Sequence, residues 1–155
     1  MAGAVVAHVR LSLNSPGLPG RLRAEPEFKQ RLGAKAVTEW IIGQRPTDDP
    51  RVEAGLDGLR SASFGRSDAR EGVRELADTL EADIDRMRET AGLFGEQTEI
   101  NTIAESEMAV RALWFSLSAD AFEAVTEATY LAQWAVDTEP DGIQRVESVL
   151  FAALG

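Results

Sequence analysis

A chain of 155 residues, 44% hydrophobic and 27% charged, carries enough apolar material for one domain with its own core. It contains no cysteine, which removes disulfides, thiolate metal sites and cysteine nucleophiles from consideration. Its formal net charge of −10 argues against nucleic acid as a partner.

The charge is unevenly spread. Residues 1–45 carry seven basic and three acidic side chains, residues 46–95 seven and twelve, and residues 96–155 two and eleven. An acidic C-terminal part suits a basic partner surface or the chain's own N-terminal part, so the partner expected is another protein, a second copy in a homo-oligomer, or both. No apolar run approaches the ~20 residues that cross a bilayer, and the first residues lack the basic-then-apolar order of a secretory signal. The expectation is a cytoplasmic protein with no membrane partner. Fourteen arginines against two lysines, with abundant alanine, point to a GC-rich bacterial or phage source.

In chain order, AVVAHVRLSL at residues 4–13 alternates apolar and polar positions, the pattern of a half-buried strand. A short helix with Val5, Val9 and Leu13 on one face is the alternative. NSPGLPG at residues 14–20 follows as a loop of Pro and Gly breakers. Residues 1–20 therefore form an extended N-terminal arm, and Val5, Val9, Leu11 and Leu13 are its docking residues. From Glu25 the period becomes helical, with Phe28, Leu32, Ala36, Trp40 and Ile41 as the inward stripe and Gly43 as the stop. Residues 51–66 are expected to make one or two helical turns, weakened by Gly55, Gly58 and Gly65.

Asp68 and Glu71 form a capping box ahead of a helix whose core stripe is Val73, Leu76, Leu80, Ile84 and Met87. A further helix is expected over residues 96–117. Ser118 then caps one that buries Phe122, Val125, Thr129, Ala132 and Val136. The last helix starts at Thr138 and Pro140 and places Ile143, Val146, Val149, Leu150 and Leu154 on a broad apolar face. Short connections make neighbours antiparallel. The fold expected is all-α: a single domain over residues 21–155, built as a bundle of four to five antiparallel helices, with the arm attached.

The pattern offers little chemistry. His8 stands alone, so the paired Glu-x-x-His sets of di-iron bundles cannot form. Gly-x-Ser-x-Gly and the phosphate-binding glycine motifs are missing. Glu123 and Glu127 share a helical face, as an acid–base or cation-binding pair would, but they lie opposite the apolar stripe and read as solvated. Neither a cofactor nor a metal is expected. Phe115 and Trp134 fall outside the stripes of their helices, which marks them as interface residues. The reading is a non-enzymatic protein–protein interaction module of the assembly, accessory or inhibitor/immunity type, using an acidic helical surface and the N-terminal docking arm. The alternative is a small-ligand-binding bundle with a pocket among Trp40, Trp114, Tyr130 and Trp134.

Overall fold

A computed structural model of the chain describes residues 10–90 and 97–155. The described chain is all-α, with no strand among its residues. After a helical segment at residues 10–14 come α1 (Leu18–Ala24), α2 (Glu27–Gln44), α3 (Pro50–Arg60), α4 (Asp68–Thr90), α5 (Gln97–Ser116), α6 (Ala121–Ala135) and α7 (Gly142–Leu154). The segment at 51–66, expected to give one or two turns, instead yields the eleven-residue α3. Asp49 caps it by accepting from the Arg51 N–H, and Pro50 fills the first position, where its missing N–H costs nothing. Ser67, not Asp68, accepts from the Arg70 N–H at the start of α4. Asp120, not Ser118, caps α6 by accepting from the Glu123 N–H.

The middle of the molecule is α6. Alanine, threonine and valine recur along it, and its buried residues include Glu127 and Gln133 as well as the apolar stripe, so it is enclosed on nearly every side. It packs chiefly on α5 and α2, and also on α7 and α1; α4 lies on α5 and α3. Along α6 only Glu123 is half-buried and only Trp134 is exposed.

Residues 10–20 correct the expectation of an arm. Leu11, fully buried, and Leu18, 5% exposed, belong to the same core as Leu113 and Leu150. Leu13 points to solvent at 78% exposure. A strand would place Leu11 and Leu13 on one face; a helix separates them by about 200°. His8, Val5 and Val9 lie outside the described residues.

The face of α2 also differs from expectation. Its buried side carries Gly33, Ala34, Val37, Thr38 and Ile41, whereas Phe28 is 63% and Leu32 47% exposed. The reason is close packing. A methyl group at Gly33 would come within 2.8 Å of Leu150 Cδ1 and 3.2 Å of Val125 Cγ2, so α6 and α7 approach where α2 is smallest. Gln30 hides this face from a hydrophobicity reading, because its amide is buried and donates to the Leu22 carbonyl at 2.9 Å. Thus α2 has two apolar faces: a small-residue one in the core and a large-residue one turned outward.

Candidate functional site

Two polar features converge on α6. The first is a seam under residues 10–15. Arg10 Nη2 donates to Glu127 at 3.1 Å, and its guanidinium lies 5.0 Å from the Tyr130 ring centre. Asn14 donates to Gln133 at 3.2 Å; Gln133 donates to Ser15 at 2.9 Å, and Ser15 donates on to Glu147 of α7 at 3.0 Å. Gln133 is wholly buried, and these bonds occupy both ends of its amide.

Glu127 overturns the solvated reading of the Glu123–Glu127 pair, since it is only 2% exposed. The face opposite the apolar stripe of α6 is covered by the N-terminal segment, which sequence periodicity within α6 cannot reveal. Glu123, by contrast, is partly open and accepts from the Ser118 hydroxyl at 2.9 Å. Burial pushes the Glu127 carboxyl above the ordinary carboxylate range against the opposing pull of Arg10, with Glu123 adding to the rise. The folded chain therefore holds this proton more tightly than the unfolded chain. Its contribution to stability is complete below the unfolded-state value and is lost as pH rises through the folded-state value. Glu127→Gln escapes that loss, so its stability relative to wild type should climb as pH rises above the ordinary carboxylate range. Paired urea melts check this, and a gap that stays flat over that rise would contradict it.

The second feature surrounds Trp134, which emerges from an otherwise enclosed helix. Its ring centre lies 5.9 Å from that of Tyr130. It lines a hollow of about 230 Å³ with Met108 and Asn101 of α5 and with Asp137 and Glu105. Arg45 braces one wall, reaching Glu105 at 2.9 Å, Glu139 at 3.0 Å and the Ala135 carbonyl at 3.2 Å. The lining carries two carboxylates and no cation. Such a surface suits a basic side chain, which an exposed indole can also hold through its ring face.

The other aromatic residues are dispersed. Trp114 meets Phe115 edge-on at 4.7 Å, and Arg70 covers its face at 4.2 Å. Trp114 lines a separate hollow with Arg66, Arg70 and Arg74 at the start of α4, where Arg74 is already engaged by Glu71 and Asp78. Trp40 is half-buried against the core, 5.3 Å from the Arg145 guanidinium. Tyr130 is buried beside Arg10. Phe115 is half-buried against the core, so of the two residues expected at an interface only Trp134 is an exposed large hydrophobic.

Met108 and Glu105 were not legible as neighbours of Trp134, because they come from another helix. The described residues hold no group of three or more histidine, cysteine or acidic side chains placed to bind a metal. No described helix is long and apolar enough to cross a membrane. No family model matches the chain, and neither the curated proteins nor the solved structures yield a match.

Proposed function

We propose that the chain is a non-enzymatic protein–protein interaction module that docks a basic surface of another protein at the Trp134 hollow. The observation that carries this reading is Trp134 itself: 47% exposed at the end of a helix in which every other residue but Glu123 is buried, between Met108 and two carboxylates, of which Glu105 is held by Arg45. Exposing an indole forgoes burial that would stabilise the fold, and tryptophan is the residue type that most often dominates an interface. The acidity of residues 96–155 would steer a basic partner toward this end of the molecule. A chain without cysteine suits a reducing compartment, and the cytoplasm is the setting proposed.

A helical Leu/Lys peptide tests the reading by titration against intrinsic tryptophan fluorescence at low and high salt. Saturable binding that weakens with salt is the expected result. Trp134→Ala should leave the helical circular dichroism intact and weaken binding by about 30-fold, the effect of a hot-spot residue. Undiminished binding to that variant would remove the hollow from the proposal. Light scattering on the free chain tells whether a second copy takes the partner's place.

A further inference from the structure

The outward face of α2 carries a second surface, and it shares no lining residue with the Trp134 hollow. Phe28 and Leu32 are four residues apart on one stripe, and both are largely open. With Leu59 at the end of α3 and Phe64 in the loop beyond it, they floor a groove of about 400 Å³. Ala36 continues the stripe into an adjoining hollow that Leu32 also lines. From Phe28 to Ala36 the apolar strip runs about 12 Å, or two helical turns.

The rim of the groove at Phe28 and Leu32 carries cations alone, and the adjoining hollow at Ala36 adds Glu39. Arg31, Lys35 and Arg60 line the groove, and no carboxylate does. Lys35 and Arg60 are already paired, Lys35 with half-buried Glu39 at 3.8 Å and Arg60 with exposed Glu53 and Asp57 at 3.2 Å. Arg31 has no carboxylate within ion-pair distance among the described residues. It lies 3.7 Å from the Phe64 ring centre and donates to the Ser118 and Ala119 carbonyls at 2.6 and 2.8 Å. Glu27 and Asp120 act on it only from beyond ion-pair distance, so a cation half out of water, held by carbonyls and a ring, gains from a carboxylate placed at contact.

We propose that this groove receives one amphipathic helix of another protein, apolar at i and i+4 and flanked by glutamate or aspartate. The apolar strip matches the anchor spacing of a helix lying in a groove, and the rim matches acidic flanks. A second copy docking face to face by two-fold symmetry would set Arg31, Lys35 and Arg60 against the same three cations. The overall charge of −10 opposes an acidic ligand at a distance, but beyond about 8 Å physiological salt screens it, while the rim acts at contact.

Anisotropy with two labelled helical peptides of about 16 residues, alike except that one has Leu flanked by Glu and the other Leu flanked by Lys, tests this on the full chain. The Glu peptide should bind saturably. It should weaken at least about tenfold in Leu32→Ser, in Phe28→Ser and in the double reversal Lys35→Glu/Arg60→Glu, and keep its affinity in Trp134→Ala. Both apolar positions are exposed, so these variants should fold, which circular dichroism checks. Indifference of the Glu peptide to Leu32→Ser overturns the proposal, as does an equal loss of the Lys peptide in that variant. A wild-type dimer that Leu32→Ser dissociates would make a second copy the occupant. Binding that emerges only after deletion of residues 1–9 would make it the chain's own N-terminus. The Lys peptide at Trp134 can fail while the Glu peptide at Leu32 succeeds, so the two readings stand or fall separately.

Discussion

Leu11→Ala is expected to destabilise the chain by about 3 kcal/mol, within the range for emptying a fully buried leucine site. For a chain of this size that lowers Tm by roughly 6–12 °C. Leu11 is wholly buried in the central core, and α6 is the helix its segment covers. Leu13, two positions on and 78% exposed, is the internal control: Leu13→Ala should change stability by less than about 0.5 kcal/mol. Thermal melts of both variants separate a helical segment built into the body from an arm standing off it, because an arm would make the two substitutions equivalent. A chain starting at residue 21 would lose Leu11 and Leu18 together and strip Gln133 of both its partners. It is expected to lose cooperative unfolding.

Gly142→Ala is the second large effect. A Cβ at Gly142 would sit 2.0 Å from the Val136 carbonyl oxygen and 2.9 Å from its carbon. Both are backbone atoms, so no side-chain rotation relieves the clash, and the turn between α6 and α7 must open. That turn is held by the Glu139 N–H on the Val136 carbonyl at 3.0 Å and by the Gly142 N–H on the Glu139 carbonyl at 3.1 Å. It also carries Glu139, a partner of Arg45. The cost should reach about 3 kcal/mol or more, at the top of the range for overpacking. Gly43→Ala makes the contrast. Nothing lies within 4 Å of its added methyl, so helix propensity alone acts, and it should stabilise by up to about 1 kcal/mol. Urea midpoints moving in opposite directions are the expected outcome; a neutral Gly142→Ala would mean that the turn is not packed as described.

The all-α class was legible from the sequence, because periodicity is a property of each segment by itself. The described residues nevertheless form α1 to α7 where four to five helices were expected, and α1 starts inside the residues 14–20 read as a loop. In α4 the expected stripe is buried at Val73, Leu76 and Ile84 and half-buried at Leu80 and Met87; in α7 it is buried at Val146, Leu150 and Leu154 and half-buried at Ile143 and Val149. What failed was the choice of face when a helix has two. In α2 the larger residues Phe28 and Leu32 outweigh Gly33 and Ala34 on any hydrophobicity scale, yet interhelical approach favours the smaller set. In α6 the acidic face opposite Val125 reads as solvated, and only an arginine 117 positions away makes Glu127 interior. Residues 10–13 failed for a third reason: alternation over so few positions fits a strand and a helix end equally. Of the candidate site, Trp134 was legible as a residue out of register with its stripe. The rest of the hollow was not, because α5 and the turn after α6 meet only in three dimensions.

The seam between residues 10–15 and α6 also sets an order of events during synthesis. Arg10 and Glu127 are 117 residues apart, and Ser15 and Gln133 are 118 apart. At about 5–20 residues per second, Arg10 has been made for roughly 6–24 s before Glu127 is added. Throughout that interval Leu11, Leu18 and Leu22 have no α6 to cover. Leu11, Leu18 and Leu22 are thus made well before the helix they cover, and a chaperone that binds exposed leucine would find them during that interval.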